Sequence, residues 1–97
     1  MLFAVLFTDA KDAPPDLRKQ YMAAHLAFLT DHADQIKAAG PLHEGSTGAG
    51  GLWLVEAPDE AGVDSLVKAD PFWTTGLRDS HRILRWTQVF ADGRPTE

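Results

Sequence analysis

Three segments of this chain carry large apolar side chains at both odd and even positions: Leu2 to Phe7, Leu52 to Val55, and Ile83 to Phe90. Each is short and rich in aromatic or branched residues, which suits a strand. A strand with one wet face alternates apolar and polar residues. These do not alternate, so both faces of their sheet must be covered. The chain has 97 residues, enough for one domain with one core and too few for two. The simplest cover for a second sheet face is then a second copy of the same sheet, in a two-fold homodimer.

The segments between these strands set the topology. Pro14-Pro15 marks a loop, and Leu17, Tyr21, Ala24 and Phe28 follow at spacings of 4, 3 and 4, one stripe of an amphipathic helix. Pro15 suits a first helical turn and Asp16 the positive end of the helix. His25 falls one turn after Tyr21, at the edge of this stripe. The stretch Thr30 to Gly40 suits either a continued helix stopped at Gly40 or a helix ending near Ala33 followed by a strand over Ile36 to His43, and the topology favours the second. The run Glu44 to Gly51, with four glycines, then reads as a hairpin loop, which needs a strand before it. A second helix is expected over Ala61 to Ala69, with Val63, Leu66 and Val67 inward. Asp70-Pro71 restarts the chain as a cap and first turn of a short helix reaching about Leu77. The last strand is expected over His81 to Phe90, and Asp92 to Glu97 as a polar tail. The order βαββαβ is the ferredoxin-like α+β arrangement, one domain over residues 1–97 with an antiparallel four-stranded sheet.

Composition removes several function classes. The chain carries 9 basic and 14 acidic side chains, a net charge of -5, which argues against nucleic acid as a partner. It has no cysteine, so it has no disulfide framework, thiolate nucleophile or cysteine metal site. The apolar start, Met1 to Thr8, is too short to span a membrane and lacks the positive region of a signal peptide. A soluble cytoplasmic domain that touches no membrane is the expectation. The glycine run lacks a following Lys-Ser or Lys-Thr and opens no helix, so it reads as a hairpin tip and not a phosphate cradle. Gly40 and the run Gly48 to Gly51 are expected to serve backbone geometry.

The histidines are His25, His32, His43 and His81. His25 and His32 lie about 10 Å apart along a continuous helix, too far to chelate one ion from that helix, and no metal site or cofactor is expected. His25 sits beside a buried stripe, where its ring nitrogens need partners. It is either a boundary histidine bonded to backbone or water, or half of an acid–base pair with a carboxylate. Asp70 is the best carboxylate, because it precedes a Pro-Phe-Trp run that must pack inward; its alternative is an ordinary helix cap. Phe72 and Trp86 could form a flat apolar wall for a small-molecule ligand or belong to the core. Trp53 and Trp73 suit the core or a dimer interface.

Taken together, His25-Leu26, Ala39-Gly40-Pro41-Leu42, Asp70-Pro71-Phe72 with Gly76-Leu77, and Trp86 resemble the YCII-related (YciI-like) family across about residues 1 to 90. The resemblance implies a dimeric α+β barrel of ferredoxin-like subunits, similar to muconolactone isomerase. It also implies a His-Asp active site at His25 and Asp70, with Gly40, Pro41, Phe72 and Trp86 about the ligand. One branch of that family eliminates chloride from a chlorinated hydroxyquinol. Two departures stand out: Met22 occupies a position where the family often has Arg, and the helix-to-strand connection is about two residues short. A carboxylate on one imidazole nitrogen fixes the tautomer, which suits proton transfer in the elimination, isomerisation or tautomerisation of a small ring. The competing expectations are a non-catalytic small-molecule-binding module and a domain whose task is to dimerise.

Overall fold

A computed structural model describes residues 1–96. The elements run β1 (Leu2–Asp9), α1 (Leu17–Asp31), β2 (Ile36–Glu44), β3 (Thr47–Glu56), α2 (Glu60–Ala69), α3 (Pro71–Thr74), β4 (Arg78–Arg85), β5 (Phe90–Ala91) and β6 (Arg94–Pro95). The main sheet has the order β2-β3-β1-β4 with every pairing antiparallel. This is the ferredoxin-like α+β arrangement expected from the sequence.

All helices pack on one face. Phe3, Val5 and Phe7 of β1 and Trp53 and Val55 of β3 point to that side and are buried with Ile36, Val63, Leu66 and Val67. On the other face Leu2, Ala4, Leu6, Leu52 and Leu54 are only half-buried, and Leu84 is 39 % exposed. The double-sided pattern therefore divides into a core face and an apolar face that the chain itself leaves partly open. α2 is fixed by the Asp59 side chain, which accepts from the Gly62 N–H at 2.9 Å. Hydrogen bonds from Lys68, and then from His81, hold the Asp64 carboxyl of α2 below its ordinary range.

Several expected boundaries shift. α1 begins at Leu17, after both prolines, and Asp16 stands at its N-cap without a side-chain cap bond. The glycine run is no open loop. Gly45-Ser46 forms a two-residue turn, with Gly45 at φ 61, and Glu44 pairs with Thr47 across it. A primed hairpin turn needs such a positive φ at its first central residue. Gly40 and Gly48 are strand residues without positive φ, and an added Cβ meets nothing within 4 Å at either. The expectation that both serve a glycine-only backbone is corrected accordingly. β4 ends at Arg85, so Trp86, Val89 and Phe90 lie beyond the strand and are 38 %, 70 % and 58 % exposed. Their hydrophobicity reads as strand, but the pairing with β1 stops at Leu2, where β1 begins, and Phe90 pairs only with Pro95 in a separate two-stranded hairpin.

Candidate active site

α1 turns a single fully buried residue toward the sheet, His25, at 7 % exposure. Arg18, Tyr21, Met22, Phe28 and Leu29 accompany it with reduced exposure, at helical spacing. The stripe is thus rotated by one residue from the expected one. Ala24 is exposed, and His25 is central instead of marginal. An imidazole can occupy that centre because its Nδ1 is met from across the gap.

The partners come from one short segment. His25 Nδ1 lies 2.7 Å from Asp70 Oδ1, and Asp70 is completely buried. The same Oδ1 accepts from the Phe72 N–H at 3.1 Å, capping α3, whose first residue is Pro71. The Phe72 ring stacks on the imidazole at 3.9 Å between centroids and 9° between planes. Asp70 therefore holds the ring by its edge and Phe72 by its face. An ionised carboxylate only accepts, which assigns the hydrogen to Nδ1 and leaves Nε2 with its lone pair. Among the described residues Nε2 has no hydrogen-bond partner.

The charge of Asp70 is balanced by Arg78. Its Nη2 is 3.6 Å from Asp70 Oδ2, and its guanidinium carbon sits 3.7 Å from the centroid of the Phe7 ring. Burial pulls the Arg78 guanidinium below its ordinary range; the Asp70 and Asp9 carboxylates oppose that fall and Arg18 adds to it. Arg18 Nη2 pairs with Asp9 Oδ2 at 2.5 Å. Three buried side-chain atoms lack a hydrogen-bond partner among the described residues: Asp9 Oδ1, Asp70 Oδ2 and Arg78 Nε. All three belong to this one cluster. Buried polar atoms in folded proteins are nearly always satisfied, so a concentration of orphans marks a place built for something other than packing.

A cavity of about 160 Å³ opens here. His25 lines it with Arg18, Met22, Trp53, Phe72 and Arg78, and Gly40, Pro41 and Gly51 form its opposite wall. A cavity of about 150 Å³ holds one benzene-sized ring. Of the residues expected at a site, the structure brings together His25, Asp70, Gly40, Pro41 and Phe72. Trp86 is elsewhere: it follows the end of β4 and does not line the cavity. Arg18, Arg78, Trp53 and Gly51 are additions. Arg18 precedes His25 by seven residues, two helical turns, so its presence on the same face was readable. Arg78 was not. Strict alternation from His81 and Ile83 would place it on the other face, but the register shifts so that Thr8 pairs with Ser80 and Asp9 with Arg78. That bulge turns Arg78 inward.

The profile of the YCII-related domain matches residues 1–87. The chain belongs to this family. Among solved structures, YCII-type similarity extends to 5-chloro-2-hydroxyhydroquinone dehydrochlorinase (TftG) from Burkholderia phenoliruptrix AC1100, in complex with 2,5-dihydroxybenzoquinone. The TM-score is 0.73 at 30% identity, covering 90% of this chain and 94% of that one. No curated protein matches the chain. No helix among the described residues is long and apolar enough to cross a membrane.

Proposed function

We propose that this YCII-related protein is an enzyme that moves a proton on a small ring-shaped substrate, with His25 as acid and base and Asp70 as the group that orients it. The observation that carries this reading is the 2.7 Å contact between His25 Nδ1 and Asp70 Oδ1 beside a ring-sized cavity. His25 Nε2 takes a proton from a carbon next to a ring carbonyl, and the C–H electron pair moves into the ring as an enolate. In an elimination that pair expels an anionic leaving group such as chloride. In an isomerisation His25 returns the proton to a different carbon. The pair Arg18–Asp9 at the cavity supplies a cation that can turn from its carboxylate to the oxygen on which the charge collects. The similarity to a dehydrochlorinase supports elimination as the first reaction to test.

The experiment is a screen of chlorinated hydroquinols, quinones and lactones, read by chloride release and ultraviolet absorbance. Wild type should turn over at least one of them. His25→Gln should lose about 10²- to 10⁴-fold of that rate, the usual contribution of a positioned acid–base group, while remaining folded. Unchanged turnover in His25→Gln would remove the dyad from the chemistry. Saturable binding without turnover on any compound would leave a small-molecule-binding module.

The reading includes a homodimer. The open sheet face carries Leu2, Leu6, Leu52 and Leu54 half-buried and Leu84 exposed. Completing the burial of each is worth part of the about 1.5 to 3 kcal/mol of a full side-chain burial, set against about 5 to 15 kcal/mol for the stability of a whole domain. Light scattering at micromolar concentration should give twice the chain mass, and Leu54→Arg should halve it. A monomeric wild type with the fold intact would overturn the dimer.

A further inference from the structure

Arg78 is 9 % exposed, lines the cavity, and keeps its Nε without a hydrogen-bond partner among the described residues. The carboxylate it pairs with, Asp70, stands off at 3.6 Å and spends its other oxygen on His25 and Phe72. Arginine is the side chain best suited to gripping a flat oxyanion by a fork of N–H donors, yet here the fork is largely unused. The space in front of it is held open by a missing side chain. Gly51 lies on the cavity wall, and a Cβ there would come within 3.3 Å of Arg78 Nη1 and 3.7 Å of the Phe7 ring. The guanidinium is fixed from behind by Phe7 at 3.7 Å and by Trp53 at 5.7 Å, so it reaches the cavity without freedom to turn away.

We propose that Arg78 is a further ligand-binding residue of this cavity, which seats an anionic oxygen of a flat ring over Gly51 and thereby selects acidic rings over neutral ones. The inference rests on the acid–base reading above and adds to it a determinant of substrate choice. The charges are consistent. With His25 neutral, Arg18 and Arg78 are matched by Asp9 and Asp70. When a ring proton passes to His25, the ring gains one negative charge and the imidazole one positive charge. The new anion then lies against a buried cation that needs no reorganisation to receive it.

The test uses two probes of the same ring: 2,5-dihydroxybenzoquinone, which has acidic oxygens, and 2,5-dimethoxybenzoquinone, which has none. Benzoate and benzamide form a second pair that separates a carboxylate from a ring enolate. Wild type should bind each acidic member at least about tenfold more tightly than its neutral partner, the value of one charge-assisted hydrogen bond. Arg78→Lys keeps the charge and loses the fork, and should erase most of that preference while leaving neutral-probe binding within about twofold. Should Arg78→Lys fail to fold, Gly51→Ala decides, because it crowds Nη1 and leaves every charge in place; it should reduce the preference in the same direction. A preference for dihydroxybenzoquinone but not for benzoate assigns the subsite to ring enolates; the reverse assigns it to carboxylates. Equal loss of both probes in these variants, an undiminished preference, or no preference in wild type would each overturn the proposal. The acid–base reading fails separately, through undiminished turnover in His25→Gln.

Discussion

Asp70→Ala should cost about 3 to 5 kcal/mol of folding stability, the range for stripping one partner from a buried ion pair. The loss has three parts, because Asp70 has three partners. Arg78 would keep its charge at 9 % exposure without its paired carboxylate. His25 Nδ1 would lose its bond at 2.7 Å, and the Phe72 N–H its cap at 3.1 Å. Against about 5 to 15 kcal/mol for a whole domain, such a loss brings the protein close to unfolding at ordinary temperature. Asp70→Asn separates the roles. The amide oxygen can still cap Phe72, so most of the fold survives, but the amide cannot neutralise Arg78. Nor can it supply the negative charge that stabilises the imidazolium formed when His25 takes a proton. Turnover should then fall by about 10²- to 10⁴-fold even in folded protein. Urea titration and rate measurement on the two variants provide the check. If Asp70→Ala unfolds at the wild-type midpoint, the charge cluster does not hold the fold together.

These contacts mark how far the sequence could be read. His25 and Asp70 are separated by 45 positions. Their pairing was suggested by two local facts: a histidine beside a buried stripe and an aspartate ahead of an inward Pro-Phe-Trp run. Both are patterns of burial, and burial is what hydrophobic periodicity encodes. β1 and the later half of β3 are legible for the same reason, whereas β2, mostly exposed, is legible only because a hairpin needs a strand before it. What stayed hidden depended on register. Arg78 reaches the site only through the bulge opposite Thr8 and Asp9, and a bulge reverses parity without a signature in alternation. Trp86 failed in the opposite way. Its hydrophobicity extended the strand on paper, but a strand exists only where a partner runs beside it, and the pairing with β1 stops at Leu2. The glycine run concealed a strand because four glycines look like a loop wherever they occur. Only the register, His43 with Gly48 and Pro41 with Gly51, shows an extra residue inside a ladder.

That extra residue makes Gly50 the least replaceable glycine of the chain. Gly50→Ala should destabilise the protein by more than about 4 kcal/mol, a size reserved for lesions in the fold itself. Its φ is 96, a conformation that side chains rarely tolerate. A Cβ there would lie 1.8 Å from the Phe7 carbonyl oxygen, well inside any permitted contact. The obstacle is backbone, and it cannot move aside. Phe7 belongs to β1, which is paired on both sides, with Gly51 across one ladder and His81 across the other. Shifting its carbonyl would break hydrogen bonds in the middle of the sheet and lift Phe7 from beneath Arg78. The bulge lies in the β2–β3 ladder, between His43–Gly48 and Pro41–Gly51, while β3 keeps an unbroken register against β1 from Gly51 to Glu56. Gly48→Ala is the internal control, since it has neither positive φ nor a neighbour within 4 Å and should stay within about 0.5 kcal/mol of wild type. At about 4 to 8 °C per kcal/mol for a domain of this size, the two variants should differ in melting temperature by at least about 14 °C. Equal melting temperatures would mean that the backbone at Gly50 can move away from Phe7, and that the bulge does not fix β3 against β2.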